Sequence, residues 1–266
     1  MTPAIIPFYR ERQKLERCLS HLQRQTRPVR PVVIDNNVVN RYFTEAVNSG
    51  LRTVLASEAT YALVLNQDMY LEPDAVERLT DFLDSTPRAG IAAPLHLSTA
   101  QPNHVDFAAG QDAFPLGFYL NGPPEAFTGD REVHWVSGAC MLLRVDAIRD
   151  IGLFDSNMRF LGSDSDYCFT ARARGWSVHV VGAARGAHDT GASNVEADQA
   201  LELVKVQDIL YFASKWLTGA LYRHLAFEGE RLTEARVREV VSHFERMRAG
   251  LAVTGGLTEG PTQAPL

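Results

Sequence analysis

Tyr61–Pro73 reads YALVLNQDMYLEP. Its first five residues are apolar and have the length of a buried strand. They run into Asn66-Gln67-Asp68. A carboxylate at the tip of an apolar strand is costly to bury unless a cation or a donor meets it. Asp68 therefore either caps the helix that follows or holds a cation. Glu72 or Pro73 makes the better helix start, which leaves Asp68 free. Strand side chains repeat every second residue, so Asn66 and Asp68 are expected on one side. Two oxygen-bearing side chains there suit a hard divalent ion such as Mg2+ or Mn2+.

Working outward, the same grammar recurs. PAIIPF (3–8) reads as a strand, and Leu15, Leu19 and Leu22 follow at helical spacing. PVVID (31–35) is a second strand ending in an acid, and 40–48 can form a short helix. LRTVLA fits a helix or a strand. YALVLN is a third strand, and EPDAVERLTDFLDS a helix with Pro in its first turn. Strands alternating with amphipathic helices predict an α/β fold, a mostly parallel central sheet flanked by helices. Ligands of such sheets bind at the carboxyl ends of strands, where Asp35 and Asp68 both fall.

The stretch 95–133 is rich in Gly, Pro, Asn and aromatics and reads as loops and short strands walling a cleft. WVSGACMLLRVDAIRDIGLFD is a strand, a helix and a turn. GSDSDYCFTARARGWSVHVVG is a helix from about Asp164 and a strand from Trp176. After Ser193 the pattern is helical, through Leu201, Val204, Ile209, Phe212, Trp216, Leu221 and Leu225, with a second helix over about 233–249. The expected division is an α/β domain over 1–194, a C-terminal helical extension over 195–250 and a flexible Gly/Pro/Thr-rich tail over 251–266.

Composition narrows the classes. With a net charge of −6 over 266 residues, nonspecific nucleic-acid binding is excluded. No apolar run approaches the ~20 residues of a membrane span. The opening MTPAIIPFYRERQKLERC lacks the basic start of a signal peptide. Cys18, Cys140 and Cys168 have no metal-site spacing and read as reduced thiols. A cytoplasmic protein is expected, with peripheral membrane contact left open.

Other polar residues each have an ordinary reading. Asp35 can start a turn. Asp164 can cap its helix. His188, in ARGAHDTGAS, can be a surface loop residue. Trp135 can stack on a sugar or belong to the core. Taken together they are more specific: an Asn-x-Asp strand tip for a cation, a histidine to add a nitrogen ligand, and a separate Asp164 free to act as a base.

The succession IIPFYRERQKLERCLSHLQRQT, VVIDNN, NRYFTEAVNSGL, YALVLNQDMYLEPDAVERL, VSGACMLLRVDAIRDIGLFDSNMRFLGSDSDYCFTARARGW and HDTGAS covers about three quarters of the chain in order. It resembles the family 2 glycosyltransferases, in their rhamnosyltransferase-like branch. The resemblance implies a GT-A catalytic domain over 1–194. It implies inverting transfer of a sugar from a nucleotide-diphosphate donor to an acceptor hydroxyl, with Mn2+ or Mg2+. Pro7, Asp35 and Asn36 would meet the nucleotide. Asn66-Gln67-Asp68 stands where the family has its DxD-like motif, with Asp68 and His188 as metal ligands on the diphosphate. Ser163-Asp164-Ser165-Asp166 stands where the family has Glu-Asp-x-Asp. Asp164 would be the base, and Asp166 would orient the loop or bind acceptor. Ser137-Gly138-Ala139 would line the sugar or acceptor pocket, with Trp135 beside them.

The donor implied first is dTDP-rhamnose, then UDP-galactofuranose or another UDP-hexose. The acceptor would be a glycan, a lipid-linked sugar or a small molecule. Ser163 replaces the usual Glu, Thr170 an Arg, Arg41 a Gly and Asn66 an Asp, and the segment between Asp35 and Asn48 is short. Those departures leave open a catalytically inactive sugar-nucleotide or glycan-binding module. A nucleotidyltransferase would want a Gly-rich triphosphate loop, and FYRERQK has no glycine. Tyr211, Phe212, Trp216, Leu217 and Tyr222 are expected to pack over the sheet, to form a homodimer contact, or to dock a lipid acceptor.

Overall fold

The computed structural model describes residues 1–101, 103–111, 118–189, 199–217 and 234–254. Leu221, Tyr222, Leu225, residues 190–193 of the HDTGAS stretch and the tail beyond 254 lie outside them. In chain order the elements are β1 (Thr2–Phe8), α1 (Arg12–Gln23), β2 (Val29–Asp35), α2 (Tyr42–Leu55), β3 (Tyr61–Leu65), β4 (Met69–Leu71) and α3 (Ala75–Ser85). Then come β5 (Ala89–Ser98), β6 (Val105–Gln111), β7 (Phe118–Gly122), β8 (Arg131–Glu132), β9 (Cys140–Arg144), α4 (Val145–Ile151), α5 (Ser163–Ala173), β10 (Ser177–His188), α6 (Gln199–Trp216) and α7 (Glu234–Thr254).

The sheet runs β2-β1-β3-β9-β5-β10-β4, with β6, β7 and β8 joined at its flanks. β1 is parallel to β2 and β3, and β10 to β5, while β9 runs antiparallel between β3 and β5. The parallel set therefore shares one carboxyl edge. All five residues of β3 are buried because both faces of the sheet are covered. Ala62 and Val64 join the cluster of Ile5 with Val47, Leu51 and Val54 of α2. Tyr61, Leu63 and Leu65 join the opposite cluster, with Leu15, Cys18 and Leu22 of α1 and Val76, Leu79 and Leu83 of α3.

Several expectations change here. Residues 42–55 form one continuous helix, with LRTVLA inside it. Asn48-Ser49-Gly50 looks like a break locally, but Val47, Leu51 and Val54 share one helical face and all bury against the sheet. α3 starts at Ala75, so Pro73 precedes it rather than occupying its first turn. MYL forms β4, antiparallel to the end of β10, with His188 opposite Met69. The region 95–133 holds a hairpin, β6–β7, beside β5. α7 extends to Thr254, so the first four residues of the expected tail are helical.

α2 is pinned to the loop after α4. Asn48 donates to the Phe154 carbonyl at 2.9 Å and accepts from its N–H at 2.9 Å, fully inside the protein. Asn48→Ala leaves two buried backbone groups without partners, so a loss of about 2–3 kcal/mol is expected. Urea unfolding of the variant checks it, and a change under 0.5 kcal/mol, the scale of an ordinary surface substitution, counts against it.

Candidate active site

The site is built where the parallel strands end. Pro7 has no N–H, and the β1–β3 pairing stops at Ile5 opposite Val64, so the two strands part at their tips. Gln67 bridges the gap. Its amide accepts from the Tyr9 N–H at 2.8 Å and donates to the Tyr9 carbonyl at 3.1 Å. β3 ends at Leu65, and Asn66–Met69 is a turn closed by the Met69 N–H on the Asn66 carbonyl. Strand alternation therefore does not place Asn66 and Asp68. Gln67, expected on the nucleotide, has its amide committed to the backbone and braces the turn from behind.

Asp68 is 7 % exposed, and its Oδ1 lies 3.4 Å from His188 Nε2 without a hydrogen bond. His188 is the last residue of β10, not a loop residue, and the β4–β10 pairing carries it to Asp68. A buried carboxylate oxygen beside an imidazole nitrogen is a donor pair for a divalent cation. Cis ligands of such an ion at 2.0–2.1 Å stand about 3 Å apart. Among the described residues no third His, Cys, Asp or Glu completes a metal cluster. The remaining positions would fall to phosphate oxygens and water, as is usual for Mg2+. Lys14, which drew no notice in the sequence, reaches Asp189 at 3.2 Å, and the Asp189 N–H donates to the Asp68 carbonyl.

Behind His188 lies His96, the one titratable residue in the apolar strand AGIAAPLHLS. It is 1 % exposed, and its ring centroid is 5.5 Å from that of His188. Burial, and after it the His188 charge, hold it well below the usual histidine range, so it is neutral at pH 7.

Asp35, at the tip of edge strand β2, is exposed. It accepts from the Asn37 N–H at 2.8 Å and the Asn37 amide at 2.7 Å, and those bonds lower its carboxyl below the ordinary value. Asn36 is buried. It ties the Phe8 carbonyl to the start of α2 through Tyr42, and its Oδ1 has no hydrogen bond. Arg10 and Glu11, in the loop after β1, and Tyr42, the first residue of α2, adopt positive φ of 56°, 31° and 55°. Such strain clusters where a binding rim must be held in shape.

The second half of the site hangs from β9 and α5. The Asn66 N–H donates to the Ala139 carbonyl at 2.9 Å, joining the Asp68 turn to Ser137-Gly138-Ala139. The Gly138 N–H donates to Asp164 Oδ2 at 2.8 Å, and the Ser165 N–H to Asp164 Oδ1 at 2.8 Å. A Cβ on Gly138 would lie 2.8 Å from Phe43 Cζ and 3.2 Å from Asp164 Cβ, so glycine permits this approach. Asp164 is not the helix cap, because Gly162 precedes α5 and the carboxylate reaches across to β9 instead. Burial pushes its carboxyl above the ordinary range, against the pull of those backbone donors. Each oxygen keeps a lone pair, which suits it to take a proton.

Asp166 does not share that pocket. Positions two apart on a helix point to nearly opposite sides. Its Oδ1 accepts from Trp216 Nε1 at 2.6 Å and pairs with Lys215 Nζ at 2.8 Å, so it anchors α6 rather than binding acceptor. Phe212, Trp216 and Leu217 bury in the same core as the sheet. Of the three expected placements, these residues take the first, packing over the sheet. Trp135 is 3 % exposed and lies in the core. Cys18 donates to the Asn66 carbonyl, and burial pushes its thiol up to about 12, so it offers no thiolate. No helix among the described residues is long and apolar enough to cross a membrane.

Residues 4–202 match the model of the family described as glycosyltransferase like family 2. A similar curated relative is the N-acetylglucosaminyl-diphospho-decaprenol L-rhamnosyltransferase of Mycobacterium tuberculosis (strain H37Rv). It is 26% identical over 238 residues, covering 71% of this chain and 77% of the relative. Among solved structures, GalNAc-T7 with UDP, GalNAc and Mn2+ superposes with a TM-score of 0.63 at 12% identity, over 98% of this chain and 59% of that one. The Pyrobaculum calidifontis mannosyltransferase PcManGT with GDP-Man and Mn2+ superposes with a TM-score of 0.55 at 12% identity, over 98% of this chain and 76% of that one. The structural likenesses establish the GT-A fold, and the family match establishes the chemistry: the chain belongs to the family 2 glycosyltransferases and is a sugar-transferring enzyme.

Proposed function

We propose that the protein is an inverting transferase that moves a sugar from a nucleotide-diphosphate donor to an acceptor hydroxyl, with Mn2+ or Mg2+ held by Asp68 and His188. The observation that carries this reading is the buried Asp68 Oδ1, free of hydrogen bonds and 3.4 Å from His188 Nε2. A divalent ion there would neutralise charge growing on the departing diphosphate. Pro7, Asp35 and Asn36 form the edge on which the nucleotide would rest. Asp164 takes the proton from the acceptor hydroxyl, whose oxygen forms the new bond at the anomeric carbon. The bond to the diphosphate breaks on the opposite face, so the configuration inverts. Ser137 and Gly138 line the path between the two carboxylates.

The donor we favour is dTDP-rhamnose, in keeping with the L-rhamnosyltransferase relative. UDP-hexoses are the alternatives, and the acceptor class remains a glycan, lipid-linked sugar or small molecule.

Calorimetric titration of UDP, dTDP and GDP, with and without Mn2+, tests the reading. One diphosphate is expected to bind in a Mn2+-dependent way, and Asp68→Ala to weaken it by at least about 10–100-fold, the scale on which metal-site residues act. Binding that ignores both Mn2+ and Asp68 would overturn the metal assignment. No binding of any diphosphate would favour a glycan-binding module on the same fold.

A further inference from the structure

Among the described residues, the exposed aromatic side chain packed on Trp135 is Tyr119. Tyr119 is 51% exposed on β7, while Trp135 and Phe107 behind it are buried. Its ring is held edge-on by Trp135, at a centroid distance of 5.5 Å and 74°, and by Phe107, at 5.2 Å and 65°. Phe107 continues to His96 at 5.3 Å and His96 to His188 at 5.5 Å. A run of rings thus leads from His188, beside Asp68, out to Tyr119.

Gly110 makes this packing possible. It pairs with Tyr119 across β6–β7, and its N–H and carbonyl bond the backbone of Trp135. A Cβ on Gly110 would lie 1.9 Å from the indole, so the indole rests directly on bare backbone. Three residues after Trp135, the Gly138 N–H holds Asp164. Consistent with that proximity, burial and then the Asp164 charge push the Tyr119 phenol above its ordinary range.

A single exposed apolar side chain is commonplace. This one is different in being clamped from behind by two buried rings and within electrostatic reach of the proton acceptor. Sugar sites are lined by aromatic faces with a few placed polar groups, and a rigid ring loses little conformational freedom on binding.

Resting on the transferase reading, we propose that Tyr119 is the acceptor platform: its exposed ring takes the C–H face of a pyranoside acceptor and sets one hydroxyl against Asp164. Trp135 is the positioning residue behind it.

Saturation-transfer NMR tests this with a panel of methyl glycosides: β-GlcNAc, β-Gal, β-Glc, α-Man and α-Rha. At least one is expected to bind the wild type, with saturation strongest on the C–H atoms of one ring face. Tyr119→Ala and Tyr119→Leu are expected to weaken it at least about tenfold, and Tyr119→Phe to stay within about threefold, because the ring and not the hydroxyl makes the contact. All three should still unfold in one cooperative transition, the Ala variant at a lower midpoint because it loses the two ring contacts, and Mn2+-dependent nucleotide binding should be unchanged in all three. If no glycoside binds the wild type, if the Ala and Leu variants bind as well as the wild type, or if Phe loses as much as Ala, the proposal falls. Nucleotide titration of the same samples separates the two readings. Nucleotide binding with Tyr119-independent glycosides removes only the platform, whereas Tyr119-dependent glycosides without nucleotide binding remove only the transferase.

Discussion

Asp164→Asn is expected to lower kcat/KM by at least about 100-fold and up to about 10⁴-fold, the range of general-base catalysis. Binding of the nucleotide diphosphate should be intact, because Asp164 hangs from Gly138 and Ser165 rather than from the Asp68 turn. The amide keeps one acceptor oxygen, so one backbone donor loses its bond. That loss is offset by removal of a desolvated charge, and the fold should persist. The wild-type pH profile carries a second signature. The carboxyl is raised above the ordinary 3.8, and the base works only when ionised. Activity should therefore fall as pH drops through that raised value, with the acid limb above 3.8 and absent from the variant. The linkage sign runs the other way for stability. A raised carboxyl contributes stability in full below the unfolded value and loses it as pH rises through the folded one. At neutral pH the site therefore gives up stability to hold a stronger base. A folded Asp164→Asn enzyme within tenfold of wild type would place the base elsewhere.

Lys215→Met is expected to destabilise the protein by about 3 kcal/mol at pH 8, within the range for stripping one partner from a buried ion pair. Asp166 is 2 % exposed, and its Oδ1 takes both the Lys215 ammonium and the Trp216 N–H. Methionine keeps the stem's packing and removes the charge, which leaves a carboxylate in the core. Burial already pushes the Asp166 carboxyl up, and losing Lys215 pushes it further. A protonated Asp166 costs less to bury, so the penalty should shrink towards pH 5. Denaturant midpoints at the two pH values measure it. A loss below 1 kcal/mol, or a penalty that grows towards acid, would show that the pair does not anchor α6. The same contact bears on function, since Asp166 and Asp164 share the first turn of α5.

Much of this was legible in the chain. YALVL, PAIIPF and PVVID read as strands because alternation and burial on both faces leave a local apolar signal. The acids that follow two of them, Asp35 and Asp68, marked the sheet's carboxyl edge. Asp68, Asp164 and His188 stood out as chemistry-bearing residues, and the structure brings Asp68 and His188 together. The errors lie where local spacing was asked to predict direction. Alternation was applied to Asn66-Gln67-Asp68 one residue after the strand had ended. Asp164 and Asp166 stand two apart in sequence, and the helix turns them to different surroundings. Trp135 was open to two readings, a sugar platform or a core residue, and its 3 % exposure places it in the core.

Element type, order and the carboxyl-edge location rest on short-range periodicity, so one sequence suffices to read them. Side-chain direction rests on contacts between distant residues: Tyr9 with Gln67, Asp164 with Gly138, Asp166 with Trp216, and His188 with Asp68 across β4 and β10. None of those pairs leaves a periodic trace, because each depends on how the sheet orders β3, β9 and β10 and on where α6 lies over α5. The fold class follows from the pattern along the chain. Which carboxylate faces the substrate, which is spent on an ion pair and which ring meets solvent follow from packing.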